Sequence, residues 1–142
     1  MPKKVVIVDD EPEIADMLRE VAESEGFEAY TAANGQEGLA AVERYDPDGV
    51  FTDFNMPVLD GLGMAKKLRE LGYRKPVFMA TSDVQKDSRG NWYLSGGMRD
   101  KLKQYEISEV EIFNYISRCL SKPLDLQEIR AALASIPATP EQ

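Results

Sequence analysis

The sequence predicts an α/β fold: five parallel strands in a doubly wound sheet, with helices on both faces. Three observations predict it. Short β-branched runs alternate with segments whose apolar residues recur at helical spacing. The alternation runs at the lengths of strand–helix units, which pack as a parallel sheet with right-handed crossovers. The chain has 142 residues, enough for one domain with a core and short for two.

Each element has its own signal. Residues 5–8 are a β-branched run of the kind buried on both sheet faces. Pro12 suits the first turn of a helix. Ile14, Leu18, Val21 and Ala22 follow at helical spacing, and Gly26 ends the helix. Residues 28–31 form a second, less apolar strand. Asn34 with Glu37 resembles a capping box, with Leu39 and Val42 buried behind it. Pro47, Asp48 and Gly49 punctuate before a third strand over 50–52. A helix over 62–71 turns Met64, Ala65, Leu68 and Leu71 to the core and closes at Gly72. A fourth strand covers 77–80 and a fifth 119–121. Asp125 with Glu128 caps a last helix in which Leu126, Ile129 and Leu133 face inward.

Composition excludes several chemistries. Histidine is absent, so Ser-His and Cys-His catalysis and His-ligated zinc are excluded. Any metal must take oxygen ligands, which favours Mg²⁺, Ca²⁺ or Mn²⁺. A formal charge of −8 disfavours nucleic acid and anionic membranes as partners. Cys119 is the single cysteine, so no internal disulfide forms. The apolar run over 5–8 is too short for a signal-peptide core or a membrane span. The expectation is a cytoplasmic protein.

In doubly wound sheets, ligands sit beyond the C-terminal ends of the strands. Asp9 and Asp10 follow the first strand, Asp53 the third, Thr81 the fourth and Lys122 the fifth. All five should meet at one edge of the sheet. Three carboxylates gathered without a cation would repel, and a hard divalent ion resolves this. Lys122 adds a second positive charge. Metal and ammonium together suit a phosphoryl group beside Asp53, with the Thr81 hydroxyl donating to it. Phosphoryl transfer needs mainly positioning and neutralisation, and these residues supply both.

These residues resemble the motifs of response-regulator receiver domains of bacterial two-component signalling. The matching pieces are Asp9, Asp10 and Glu11; Thr52 and Asp53 with Met56, Pro57, Asp60 and Gly61; Thr81; and Ser121, Lys122 and Pro123. The resemblance implies a CheY-like sheet and Mg²⁺ as cofactor, with Mn²⁺ as the alternative. It implies that Asp53 is the phosphoacceptor. Asp10 would be the main further metal ligand, Asp9 would help directly or through water, and the Asn55 backbone carbonyl would complete the protein's share. Lys122 would pair with a phosphoryl oxygen, and Thr81 would move toward it. The Lys122–Pro123 bond would be cis. Asn55 and Asp83 would flank the phosphoryl group and position an attacking water, giving a lifetime of seconds to minutes.

The sequence departs from that pattern twice. The aromatic usual three residues before the lysine is Cys119 here, with Tyr115 and Phe113 nearby as substitutes. Cys119 itself reads as a small buried strand residue, or as a redox thiol without a second thiol to pair with. The stretch from Thr81 to Lys122 is also long for a single crossover. Within it, Gly90 and Asn91 suggest a hairpin turn. Met98, Leu102 and Tyr105 fall at helical spacing, and Ser108 with Glu111 resembles a capping box before a segment over 110–116. This region stands in place of the family's fourth helix. Trp92 and Tyr93 either cover a core edge or form an exposed docking site.

The expected organisation is a receiver domain over 1–136, enlarged over about 84–117, with a tail or linker over 137–142. The expected partners are a sensor histidine kinase or phosphotransfer protein and an unnamed downstream protein. The chain is expected to be a monomer or weak homodimer that binds a partner, relays phosphate or belongs to a longer protein. The rival reading is a phosphorylation-independent interaction module, whose usual mark is loss of Asp53, Asp10 or Lys122. A haloacid-dehalogenase phosphatase needs its nucleophile after the first strand and an Asp two residues on, where this chain has Glu11. A flavin-binding domain needs a phosphate loop where Asp9 and Asp10 stand, and a dinucleotide enzyme needs a glycine fingerprint absent here.

Overall fold

The computed structural model describes residues 2–137, apart from the side chain of Trp92. The tail over 138–142 therefore lies outside the described residues, as does the Trp92 part of the docking expectation. The elements run β1 (Lys4–Val8), α1 (Pro12–Ser24), β2 (Glu28–Ala32), α2 (Gly35–Tyr45), β3 (Gly49–Asp53), α3 (Gly61–Glu70), β4 (Val77–Thr81), β5 (Val84–Lys86), β6 (Trp92–Leu94), α4 (Gly96–Gln104), a 3₁₀ turn (Glu111–Asn114), β7 (Arg118–Ser121) and α5 (Leu126–Ala134).

Five strands pair in parallel in the order β2-β1-β3-β4-β7. The winding reverses beside β1, so the mouth between β1 and β3 is the switch point. Successive strand residues point to opposite faces, and the core divides accordingly. Val6, Val8, Val50, Val77 and Met79 pack with Leu62, Met64, Ala65 and Leu68 of α3 and with Met98 and Leu102 of α4. Val5, Ile7, Phe51 and Phe78 pack with Leu18 and Ala22 of α1 and with Ile129 and Leu133 of α5. Each such aliphatic or aromatic side chain contributes about 1.5–3 kcal/mol on burial. β1, β3 and β4 are buried almost throughout, which explains their continuous apolar runs. β2 is an edge strand and carries the weaker pattern read from its sequence.

Helix ends follow the expected signals with local corrections. The Asn34 carboxamide accepts from the Glu37 N–H at 2.9 Å, as a cap should. Asp125 caps α5, but through the Gln127 N–H at 2.7 Å, without Glu128. Leu71 and Leu126 are exposed, not inward-facing. Each stands at a helix end, past the edge of the core that its helix covers.

The stretch between β4 and β7 does not lack the fourth helix. It keeps α4 and adds an antiparallel hairpin, β5–β6, in front of it. The hairpin loop spans 87–91, with Gly90 at φ +82° and the Asp87 carboxylate accepting from the Arg89 and Asn91 N–H groups. A longer loop thus replaces the two-residue turn suggested by Gly90 and Asn91. Ser108 accepts from the Glu111 N–H at 3.1 Å, but only one 3₁₀ turn follows. Ile112 and Ile116 are buried one helical turn apart, after which the chain enters β7.

Candidate phosphoacceptor site

Parallel strands deliver the polar residues to one mouth. Asp53 ends β3 and pairs in register with Ala80, one residue before Thr81. Asp9 follows β1, and its N–H donates to the Ala32 carbonyl at 3.0 Å. Lys122 follows β7, and its N–H donates to the Thr81 carbonyl at 3.1 Å, extending the ladder by one residue. The Lys122–Pro123 bond is cis.

The Lys122 Nζ stands 2.6 Å from Asp53 Oδ1. The same oxygen accepts from the Phe54 N–H at 3.0 Å. Asp9 and Asp53 are buried, whereas Asp10 is exposed. One carboxylate oxygen from each of the three lies within 4.8 Å of the others. Burial pushes the Asp9 carboxyl up to about 6, and the nearby negative charge of Asp53 adds to this, against the Glu11 N–H that donates to Asp9 at 2.9 Å. A crowded set of hard oxygen donors fits a divalent cation such as Mg²⁺ or Mn²⁺.

The backbone is drawn tight around Asp53. The Gly61 N–H donates to the Phe54 carbonyl at 2.8 Å, and a β-carbon on Gly61 would collide with the Asp53 carbonyl oxygen. The loop between them carries Asn55, which is exposed. Asp60 caps α3 by accepting from the Gly63 N–H at 2.7 Å. Its second oxygen accepts from the Tyr105 hydroxyl at 2.7 Å and lies 3.3 Å from Lys101 Nζ. The Thr81 hydroxyl oxygen accepts from the Asp83 N–H at 3.0 Å. The Asp83 carboxylate turns to the start of α4, where the Ser95 hydroxyl donates to it.

The remaining expected residues lie on the flank beside β7. Cys119 is half-buried opposite Met79, and burial pushes its thiol up to about 11. Tyr115 is half-buried against the core, while Phe113 and Tyr93 are exposed. Cys119, Tyr93 and Phe113 line an open groove of about 600 Å³ with Leu94, Arg118 and Glu128. The structure thus gathers Asp9, Asp10, Asp53 and Lys122 at one mouth, with Thr81 buried at the end of the neighbouring β4. It places Cys119, Tyr93 and Tyr115 elsewhere. Sequence reasoning missed Tyr105 and Ser95. Ser95 carried a signal as a hydroxyl residue before a helical run, but Tyr105 meets Asp60 across 45 residues of sequence.

A family model for the response regulator receiver domain matches residues 5–111. The chain belongs to that family. Sporulation initiation phosphotransferase F of Bacillus subtilis (strain 168) is 30% identical over 110 residues, covering 78% of this receiver and 89% of that protein. The alkaline phosphatase synthesis transcriptional regulatory protein PhoP of the same organism is 37% identical over 82 residues, 58% of this receiver and 34% of PhoP. The receiver thus spans about a third of that regulator. The chemotaxis response regulator CheY4 of Vibrio cholerae superposes with a TM-score of 0.71 over 96% of this receiver and all of that chain, at 24% identity. That likeness shows the shared fold. The family match ends before β7, so it does not reach Lys122, whose N–H donates to the Thr81 carbonyl and whose Nζ meets Asp53. No helix among the described residues is long and apolar enough to cross a membrane.

Proposed function

We propose that this receiver accepts a phosphoryl group on Asp53 from the phosphohistidine of a sensor kinase or phosphotransfer protein. One observation carries the reading: the Asp53 carboxylate lies 2.6 Å from Lys122 and within reach of the Asp9 and Asp10 carboxylates. Asp9, Asp10, Asp53 and the Asn55 backbone carbonyl would hold Mg²⁺. Such an ion would neutralise carboxylate and phosphoryl charge.

The residues divide the remaining work. Asp53 attacks phosphorus, and the bond from phosphorus to the donor nitrogen breaks. Lys122 holds the transferred group by charge. The Thr81 hydroxyl donates to one of its oxygens, and its movement signals occupancy. Asn55 would flank the group and govern its hydrolysis, whereas the expected flanking by Asp83 is not met, because its carboxylate is engaged by Ser95 at the start of α4. The chain acts as a monomer or weak homodimer in the cytoplasm. Its enlarged segment over 84–117 meets the downstream protein through Tyr93 and the groove beside Cys119.

Intact mass after incubation with acetyl phosphate and Mg²⁺ tests the reading. Gain of one phosphoryl group is expected, absent in Asp53→Asn and in chelator. No gain by folded protein would favour a phosphorylation-independent interaction module.

A further inference from the structure

We propose that Tyr105, at the end of α4, positions the metal-binding turn that follows Asp53 by holding Asp60 in place. The inference rests on the reading above, in which the Asn55 backbone carbonyl holds Mg²⁺ with Asp9, Asp10 and Asp53.

The loop over 54–60 carries Asn55 from β3 to α3 and is strained. The Leu59 N–H donates to the Pro57 carbonyl at 2.8 Å around Val58, which stands at φ +71°. A three-residue turn of that sign is rare, and a β-branched side chain makes it costlier. Val58 is 80% exposed, so its burial offsets little of the strain. Such a conformation persists only where its surroundings over-determine it. Backbone bonds supply part of that restraint. The Gly35 N–H donates to the Leu59 carbonyl at 3.0 Å, and the Gly61 N–H to the Phe54 carbonyl at 2.8 Å. The buried Asp60 carboxylate supplies more. One oxygen caps α3, and the other accepts from the Tyr105 hydroxyl at 2.7 Å.

Tyr105 is a fixed post for that bond. Met98 and Leu102 bury α4 in the core ahead of it. The helix stops at Glu106, whose φ of +57° turns the chain so that the Ile107 N–H donates back to the Leu102 carbonyl at 2.9 Å. Ile107 is buried in turn. From α3, the Lys66 Nζ donates to the Tyr105 carbonyl at 3.3 Å. The post therefore restrains the loop and does not follow it. Lys101 lies 3.3 Å from the same Asp60 oxygen, but a lysine is a point charge on a flexible stem and fixes direction less well than a phenol. Tyr105 is a positioning residue: it acts through Asp60, on the turn that offers the Asn55 carbonyl. Without its hydroxyl, the strained loop has room to relax, and that carbonyl shifts with it.

Calorimetric titration of the unphosphorylated full chain with Mg²⁺ tests the proposal. Tyr105→Phe is expected to bind Mg²⁺ roughly tenfold more weakly, the low end of the 10–100-fold that loss of an outer partner costs a metal site. Ile129→Val loosens the core on the α5 side instead and should bind as wild type does. Asp60→Ser keeps a cap for α3 and removes the oxygen that Tyr105 reaches. It should bind about as weakly as Tyr105→Phe, and adding Tyr105→Phe to it should change nothing further. Three results overturn the proposal and leave the acceptor reading: wild-type affinity in folded Tyr105→Phe, equal weakening in Ile129→Val, or a Tyr105→Phe effect that persists in Asp60→Ser. No Mg²⁺ binding by the folded wild-type chain overturns both.

Discussion

At Gly61, the absence of a single carbon lets the chain close over the end of β3. An added methyl would collide with the Asp53 carbonyl, so β3 or α3 must shift. Gly61→Ala is expected to cost about 1–3 kcal/mol, read as a lower urea midpoint. A wild-type midpoint would show that the loop yields freely. Cys119 supports a pH prediction. Its thiol ordinarily titrates near 9.0 and is pushed up to about 11 in the folded chain by burial. A thiol with a raised folded value loses stability as pH climbs from the unfolded value through the folded one. Folding stability should therefore decline above about pH 9. At pH 8 the folded thiolate fraction is roughly a hundredfold below that of the unfolded chain. Alkylation should be correspondingly slow until urea is added, and equal rates would contradict the burial. The convergence of Asp9, Asp53 and Thr81 was legible in sequence because each ends or follows a buried run, whereas Lys122 follows β7, in which only Leu120 is buried. The direction of the Asp83 side chain was not legible, since it depends on Ser95 and Gly97, which reach it only through the folded hairpin.

α4 is fastened at both ends, to the loops that follow β4 and β3. Asp83 holds its start through Ser95, and Asp60 holds its end through Tyr105. The Tyr105 hydroxyl also stands 2.5 Å from where a β-carbon on Gly63 would lie, so α3 and α4 meet closely there. Tyr105→Phe keeps the ring and leaves one oxygen of a buried carboxylate short of a donor. A loss of about 1–2 kcal/mol is expected in denaturant melts, with Lys101 still nearby. No change would mean that Lys101 alone satisfies Asp60. Helical spacing announced Met98 and Leu102 but overran at Leu71 and Leu126, because periodicity marks a face and not where the core beneath it stops. The segment over 110–116 shows the same limit. Its buried residues are spaced for a helix, yet the chain has one turn before β7 must begin.

Over the whole molecule, parallel pairing turns residues far apart in sequence into neighbours at one mouth. Asp9 and Lys122 meet Asp53 because β1 and β7 run beside β3 and β4 in the same direction. Alternation of elements implies parallel pairing and leaves the strand order open, so the fold class was legible in sequence, whereas the order β2-β1-β3-β4-β7 is seen only in the structure. The β5–β6 hairpin is a local addition, set by the turn chemistry at Asp87 and Gly90. The central claim is that Asp53 itself carries the phosphoryl group. Borohydride reduction of the phosphorylated chain, followed by peptide mass mapping, tests it most directly, because the reagent converts an acyl phosphate to an alcohol. Homoserine at position 53, appearing only after treatment with phosphodonor and Mg²⁺, is the expected result. Homoserine at another position, with position 53 still aspartate, would contradict the account.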